Sequence, residues 1–205
     1  MKVLIGTTNP SKVERFQLLL KDFNIDFLTL NDLNIKTEPE ETGQTPKENA
    51  VIKAKYYGQF FDYVICNDSG LYFDDISLDD QRQPGLHIRT PKGKRLNDEA
   101  MIDYYSQLIH SLGGKVEALY IDGIAVYNQG KVYSFMESYE DMKKKSFYMV
   151  EKASSLRQVG WPLDSISINK ETNQYFVEED NENDEIMNKD YQERLIDFFK
   201  KSLNI

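Results

Sequence analysis

The sequence predicts an α/β fold in which one mixed sheet is flanked by helices. Over roughly the first half of the chain, short apolar runs alternate with stretches whose apolar residues recur at helical spacing. Farther along, β-branched and aromatic residues surround Asn128, Gln129 and Gly130, a pattern typical of a hairpin. Strand–helix alternation followed by a hairpin predicts a single domain over residues 1–205, built as two lobes.

The N-terminal elements are predicted by local signals. Residues 3–5 form a short apolar run that is typical of a buried strand. A helix then follows, with Asn9 as its capping residue and Pro10 in its first turn. A second strand is expected over residues 25–30, and the polar, acidic residues 31–43 are expected to form a loop.

The next segment holds a second helix and a third strand. Thr45 and Glu48 have capping-box spacing, and Pro46 stands at the first helical position. Residues 63–66 are expected to form a strand that stops at the turn-forming residues 67–70. An extended run then resumes at Leu71.

The second half of the chain is predicted from composition and periodicity. Residues 74–94 are rich in Asp, Gln, Pro and Gly and are expected to form a long surface loop. A helix follows from about Asn97 and ends at Gly113 and Gly114. The hairpin region covers residues 115–141. A solvated acidic run at 178–185, to which no function is assigned, precedes a terminal helix over 191–203.

Composition excludes several classes of protein. The 205 residues include 25 Lys and Arg against 34 Asp and Glu, a net charge of −9 that argues against sequence-independent nucleic-acid binding. A single cysteine, Cys66, cannot form an internal disulfide or a multi-cysteine zinc site, and the presence of only two histidines, His87 and His110, argues against a metal site built on His. A metal would instead be a hard cation on oxygen ligands, Mg²⁺ or Mn²⁺. With no signal-peptide core or stretch of about 20 apolar residues, a cytoplasmic location is expected.

The first candidate for chemistry is the stretch from Thr7 and Thr8 through Asn9 to Lys12, where a strand passes into a helix. Unpaired N–H groups at a helix N-terminus attract phosphate, and Lys12 would add a full charge. The alternative is a well-capped helix with a solvated lysine. Both interpretations stay open on this segment alone.

The second candidate runs from Glu40 and Glu41 into the following helix. Asn49 and Lys53 are four residues apart and therefore share one side of that helix. Taken alone, this segment is also compatible with exposed loop carboxylates and a solvated lysine.

The third candidate is Asp68, which directly follows an apolar strand. The carboxyl ends of strands are where α/β sheets bind their ligands, and a carboxylate there can hold Mg²⁺ and deprotonate a water. Gly70 would let the backbone approach a ligand closely. The alternative is a simple turn in which Asp68 bonds its own backbone.

The three stretches together resemble the inosine triphosphate pyrophosphatases, which hydrolyse ITP, dITP and XTP to the monophosphate and pyrophosphate. The similarity consists of TTNPSK at 7–12, EETGQTPKENAVIKAK at 40–55, NDSGL at 67–71 and the Pro-Gly turn at 84–86. It extends over residues 1 to about 90. The resemblance implies a two-lobed α/β fold with a cleft between the lobes, a Mg²⁺ requirement and commonly a homodimer.

The resemblance also implies roles for individual residues. Glu41 would bind the metal, and Asp68 would bind the metal and act as the base for the attacking water. Ser69 would lie near the substrate. The residues expected to meet the triphosphate are those of the first helix N-terminus and one lysine of the second helix: Thr7, Thr8, Asn9, Lys12 and Lys53.

Departures from the family pattern concern one metal position and the base-binding half. Asn67 stands where the family has the first of two aspartates. The family's Gly-Phe-Gly-Tyr-Asp-Pro stretch corresponds to residues 160–165, in which Trp161 could stack on a base or be structural, and Asp164 is retained. The Ser-His-Arg motif has no histidine here, and Arg194 is the candidate substitute.

These departures leave three functional hypotheses. The first is a Mg²⁺-dependent nucleoside triphosphate pyrophosphatase acting on non-standard purine nucleotides. The second is a nucleotide-binding protein with little turnover, suggested by Asn67 and the missing Ser-His-Arg. The third is a related pyrophosphatase with a different base preference, because losing a hydrogen bond to the base costs selectivity.

Overall fold

A computed structural model describes residues 1–179 and 189–205. The helices are α1 (Pro10–Leu19), α2 (Pro46–Tyr57), α3 (Asp98–Ser111), α4 (Tyr139–Lys143) and α5 (Lys189–Leu203). The strands are β1 (Lys2–Ile5), β2 (Asp26–Thr29), β3 (Tyr63–Phe73), β4 (Lys115–Asn128), β5 (Lys131–Met136), β6 (Phe147–Val150) and β7 (Ser167–Ile168). Most of the predicted acidic run, at 180–185, lies outside the described residues.

The predicted α/β fold with a mixed sheet is confirmed. The strands named above form one sheet in the order β2-β1-β3-β4-β6-β7, and β5 pairs with β4. Strand β1 is parallel to both β2 and β3, whereas β4 is antiparallel to both β5 and β6. The hairpin between β4 and β5 turns at Gln129 and Gly130, which both have positive φ, as a two-residue turn of this kind requires.

The predicted break in the third strand is wrong. Strand β3 runs without interruption from Tyr63 to Phe73, so the turn-forming residues 67–70 lie inside it. The reason is that their side chains have partners elsewhere in the fold. Asp68 bonds to helix α2, and Ser69 bonds to strand β4, so neither side chain is left to close a local turn.

The described residues divide into two compact units. The first unit contains residues 1–69, 122–137 and 189–205, and the second contains 70–121 and 138–179. Strands β3 and β4 each contribute residues to both units.

In the first unit the sheet is covered on both faces. Helices α1 and α5 pack on one face, where the rings of Phe16 and Phe199 meet edge to face with centroids 5.9 Å apart. Helix α2 packs on the other face, where Ala50 and Ala54 are buried in one cluster with Cys66 of β3, whereas Ile65 is buried on the α1 face. Successive residues of β3 therefore face different helices, as the alternation of side chains along a strand requires.

In the second unit, α3 supplies the main helical face of the core. Met101, Tyr105 and Ile109 of α3 are buried together with Phe73 and Met149 of the sheet. None of the described helices is both long enough and apolar enough to cross a lipid bilayer.

Candidate functional site

The register of β1 and β3 creates the place where the candidate site lies. Ile5, the last residue of β1, is paired with Ile65, and the Gly6 N–H donates to the Ile65 carbonyl at 2.8 Å. Strand β3 continues beyond this point, so residues 67–69 extend past the carboxyl end of β1. The sequence predicted that Asp68 follows the end of its own strand. Instead it lies inside β3, past the end of the neighbouring strand β1. A ligand-binding crevice in α/β sheets is found at such strand ends.

Asp68 points to helix α2 and is held by two of its side chains. The Asn49 amide Nδ2 donates to Asp68 Oδ2 at 3.0 Å, and Lys53 Nζ lies 3.2 Å from Asp68 Oδ1. Asn49 and Lys53 share one side of α2, as their spacing predicts. Asp68 is only 8% exposed, so both of its oxygens are fixed in a largely buried setting.

Lys53 joins Asp68 to the loop before α2. Its Nζ also lies 2.7 Å from Glu41 Oε1, so one ammonium group is shared by two carboxylates. Burial by itself lowers the pKa of Lys53, but the charges of Asp68 and Glu41 outweigh it, and the pKa is raised. The Gly43 N–H donates to Asn49 Oδ1 at 2.8 Å, which ties the same loop to α2.

The start of α2 is fixed by capping and by close packing. Thr45 Oγ1 accepts from the Glu48 N–H at 3.2 Å, and Glu48 Oε2 accepts from the Gln44 N–H at 2.7 Å. The predicted Thr45 cap is therefore confirmed, with Glu48 reaching one residue farther back than in a capping box. Strand β4 approaches this helix end so closely that a Cβ on Gly123 would lie 2.1 Å from the Lys47 nitrogen.

A second polar network lies on the α1 face of β3. The Ser69 hydroxyl donates to Asp122 Oδ1 at 2.7 Å and accepts from Lys12 Nζ at 3.3 Å. The other oxygen of Asp122, Oδ2, lies 2.7 Å from Arg15 Nη1. Sequence reasoning identified Lys12 and Ser69 but missed Arg15 and Asp122. A usable signal existed, because Asp122 interrupts the apolar run of β4.

The charges of this network influence one another. Burial lowers the pKa of Lys12, and the nearby Lys53 adds to the effect, while Asp122 and Asp68 oppose it. For Asp122, burial raises the pKa, but Arg15, the Ser69 hydroxyl and Lys12 outweigh burial, and the pKa is lowered. Asp122 is therefore ionised near neutral pH.

The polar side chains at the N-terminus of α1 all make hydrogen bonds within the protein. Asn9 Oδ1 accepts from the Ser11 N–H at 3.0 Å, which confirms the predicted cap. Thr7 Oγ1 accepts from the Asn9 N–H at 3.2 Å, and the Thr8 hydroxyl donates to Glu38 Oε1 at 3.2 Å. These side chains hold the turn in place, and the α1 N-terminus carries the partial positive charge of a helix end.

Trp161, Asp164 and Arg194 are not among the residues that make the contacts described above. Trp161 and Asp164 are half-buried residues of the second unit, at a 3₁₀ turn over Pro162–Ser165. Arg194 belongs to α5 in the first unit, and its Nε and Nη2 lie 2.8 and 2.7 Å from Glu137 Oε1. Since the Glu137 side chain is 5% exposed, this ion pair ties α5 to the end of β5.

The donors around Asp68 fit a hard divalent cation. Glu41 and Asp68 supply carboxylate oxygens that reach one ammonium group. Asn67 lies on the other face of β3, where its Nδ2 donates to Ser69 Oγ at 3.4 Å and its Oδ1 has no hydrogen-bond partner within the described residues. Those residues contain no cluster of three or more His, Cys, Asp and Glu side chains arranged to hold a metal. Mg²⁺ is commonly bound by one or two carboxylates together with substrate phosphates, which is the set of ligands this site can complete.

Comparison with known proteins gives a consistent result. Residues 3–142 match the model of the Ham1 family. A Thermoanaerobacter protein named dITP/XTP pyrophosphatase is 33% identical over 136 residues, 64% of this chain and 65% of its own length. A relative of the same name from Oceanobacillus iheyensis is 32% identical over 141 residues, 67% of this chain and 70% of its own. The chain thus spans about two thirds of these relatives.

A solved structure extends the likeness in fold to nearly the whole chain. The HAM1 protein from Coxiella burnetii superposes with a TM-score of 0.74 at 19% identity, covering 98% of this chain and 99% of that one. At this level of identity the similarity establishes the fold.

Proposed function

Because the chain belongs to the Ham1 family, as its motifs suggested, we propose that it is a nucleoside triphosphate pyrophosphatase. It would hydrolyse the bond between the α and β phosphates of a non-standard purine nucleotide, such as ITP, dITP or XTP, and release the monophosphate and pyrophosphate. The observation that most supports this is the Lys53 ammonium shared by Glu41 and Asp68, with Lys12 on the neighbouring network.

Two lysines supply the positive charge that phosphate transfer needs. Lys53 lies against Asp68 and Lys12 against Ser69, which are neighbouring residues of β3. Neutralising phosphate charge is the main contribution a protein makes to such reactions. In the absence of substrate Lys53 is held by two carboxylates, and substrate phosphates would compete for it.

Asp68 is the proposed general base. Asn49 holds Oδ2, and Oδ1, which pairs with Lys53, would accept the proton of the attacking water once substrate phosphates draw Lys53 away. Bound Mg²⁺, or alternatively Mn²⁺, would be held by Glu41 and Asp68 and would neutralise phosphate charge and lower the pKa of water. Asn49 orients Asp68 by donating a hydrogen bond to it. By accepting from the Gly43 N–H, Asn49 also restrains the loop that bears Glu41.

The base-binding half is proposed from sequence correspondence. Trp161 would stack on the purine, Asp164 would bind an edge of it, and Arg194 would substitute for the missing Ser-His-Arg. Arg194 would have to serve this role while paired with Glu137, or leave that pair on binding. The variant Arg194→Met should then raise KM for ITP, whereas Glu137→Gln, which breaks the same ion pair but keeps Arg194, should not raise it.

A nucleotide-binding protein with little turnover is the second candidate. It is favoured by Asn67, which places a neutral amide beside Asp68 where a second carboxylate would attract a cation more strongly. A cytoplasmic location and a homodimer are further proposals. Light scattering of the purified protein tests the dimer directly, because a monomer mass would contradict it.

The test is pyrophosphate release from ITP, XTP, dITP, GTP, ATP, CTP and UTP, with and without Mg²⁺. We expect Mg²⁺-dependent release that is fastest with ITP, dITP or XTP. Release fastest with another base would support a pyrophosphatase with changed base preference. Tight nucleotide binding without release would support the binding protein.

A matched pair of variants tests the proposed site. Asp68→Asn should lower kcat about 100-fold or more, which is within the usual contribution of a general base. Asp80→Asn is the control, because Asp80 is also an ion-paired carboxylate, 2.6 Å from Arg82 Nη2, but lies in the loop of the second unit. Full activity of Asp68→Asn would contradict the proposed role.

A further inference from the structure

An ion pair between Arg15 and Asp122 lies next to the candidate site, on the α1 face of β3. Arg15 Nη1 lies 2.7 Å from Asp122 Oδ2, and the Ser69 hydroxyl donates to Asp122 Oδ1 at 2.7 Å. Both carboxylate oxygens thus have a short hydrogen bond. The Asp122 side chain is 16% exposed, so little water is available to replace either partner.

Lys12 is close to this carboxylate but is not paired with it. Its Nζ donates to Ser69 Oγ at 3.3 Å, and Asp122 is the largest of the charges that raise its pKa. Across residues 1–179 and 189–205, Lys12 makes no salt bridge, whereas Lys53 makes two. The Ser69 hydroxyl stands between the ammonium group and Asp122.

The arrangement explains why Lys12 stays unpaired. An ionised carboxylate in a half-buried site attracts any nearby cation, and the strength of that attraction rises as water is excluded. Arg15 occupies one oxygen, and Ser69 occupies the other. Arg15 also interacts electrostatically with Tyr191 of α5.

We propose that Arg15 is a positioning residue which, by occupying Asp122, keeps the Lys12 ammonium available to the phosphate groups of an anionic ligand. The proposal rests on the proposed function for the identity of that ligand, a nucleoside triphosphate. Without Arg15, the Asp122 carboxylate would draw Lys12 into an ion pair and withdraw it from the phosphates.

A competing explanation is that Arg15 binds the anion directly. Both explanations predict weaker binding when Arg15 alone is removed. They differ for the double variant that removes Asp122 as well. If Arg15 acts by occupying Asp122, removing both partners restores binding through Lys12. If Arg15 contacts the anion, the double variant stays weak.

The experiment is calorimetric titration of the full chain with inorganic tripolyphosphate in the presence of Mg²⁺. Arg15→Met should raise Kd about tenfold or more, the loss expected for one charge-assisted hydrogen bond. Arg15→Met combined with Asp122→Asn should return Kd to within about threefold of the wild type, the scatter expected between independent variants. In a Lys12→Met background, Arg15→Met should have no further effect.

The matched control is Arg89→Met. Arg89 pairs with Asp98 at the same 2.7 Å, and its side chain is 33% exposed against 32% for Arg15, but it lies in the second unit. Its loss should leave Kd unchanged. Circular dichroism checks that each variant is folded. If Arg15→Met alone does not fold, the double variant, which removes both charges of the ion pair between Arg15 and Asp122, still decides between the two explanations.

Three results would overturn the proposal: unchanged binding in Arg15→Met, a double variant as weak as Arg15→Met, or a wild type that does not bind tripolyphosphate. Failure of the proposed function looks different. In that case the wild type binds tripolyphosphate and responds to the variants as expected but releases no pyrophosphate from any nucleotide.

Discussion

Asn49 is a buried residue whose removal should lower both the stability of the fold and the rate of catalysis. It is 2% exposed and makes two hydrogen bonds, donating to Asp68 Oδ2 at 3.0 Å and accepting from the Gly43 N–H at 2.8 Å. The first bond orients the proposed base. The second restrains the loop that bears Glu41. Asn49→Ala removes both and leaves a donor and a carboxylate oxygen without their partner.

The expected loss of stability in Asn49→Ala follows from these two hydrogen bonds. A hydrogen bond to a charged group contributes about 1.5–3 kcal/mol and a neutral one about 0.5–1.5 kcal/mol. Asn49→Ala should therefore lower the free energy of unfolding by about 2–4 kcal/mol. Because Asp68 and the Glu41 loop lose their restraint, kcat should also fall about 10- to 100-fold, as for a displacement of about 1 Å at a reacting group.

Urea denaturation and pyrophosphate release, measured on the same samples, test this prediction. The matched control is Asn128→Ala, since Asn128 is a buried asparagine of the same unit whose Nδ2 donates to the Ser202 carbonyl at 2.8 Å. It should lower stability by about 1–3 kcal/mol and leave kcat within about twofold. If Asn49→Ala kept the wild-type kcat, or if Asn128→Ala lost as much kcat as Asn49→Ala, Asn49 would not be orienting the proposed base.

Further predictions concern the rest of the fold. Gly123→Ala places a Cβ 2.1 Å from the Lys47 nitrogen, so urea denaturation should show a loss of at least about 4 kcal/mol; an unchanged midpoint would contradict the packing. A hydrogen bond from Lys143 holds the pKa of Asp74 below its ordinary value despite burial. The difference in unfolding free energy between the wild type and Asp74→Asn should therefore be constant above about pH 5. It should shrink as the pH falls below about 4. A difference that grows in acid would contradict the sign. Cys66 is 1% exposed, and burial raises the pKa of its thiol to about 12, so it should react with a thiol reagent at the rate of unfolding; rapid labelling of the folded protein would contradict its burial.

Local signals were sufficient to predict helices α1, α2, α3 and α5 and strands β1, β2, β4 and β5. Helix α4, which begins inside the predicted hairpin region, and strands β6 and β7 were not predicted. The caps of α1 and α2 are set by Asn9 and Thr45, which bond to backbone N–H groups within three residues of themselves. Such contacts are encoded in a short window of sequence, and so is the positive-φ turn at Gly130.

The error at residues 67–70 has a non-local cause. Asn, Asp, Ser and Gly together are typical of a turn, and nothing nearby in the sequence contradicts that interpretation. The partner of Ser69 is Asp122, 53 positions away, and the partner of Asp68 on α2 is 19 positions away. Only the folded chain shows that these bonds keep the segment in an extended strand.

The site was predictable to the extent that a motif records it. Glu41, Lys53 and Asp68 are brought together as the motifs suggested, and Asn49 shares their helix face. Arg15 and Asp122 belong to none of the quoted motifs. Asp122 stands out as a charge within the apolar run of β4, but nothing in the sequence pairs it with Arg15, 107 positions away. The roles of Trp161, Asp164 and Arg194 stay predictions.

Identification of the products of ITP turnover is the test of the proposal that this chain cleaves the bond between the α and β phosphates. Phosphorus NMR of a reaction with Mg²⁺ distinguishes cleavage between the α and β phosphates from loss of the terminal phosphate. We expect the monophosphate and pyrophosphate in equal amounts, with both formed at least about 100-fold more slowly by Asp68→Asn. Release of orthophosphate and the diphosphate, or equal turnover by Asp68→Asn, would contradict it.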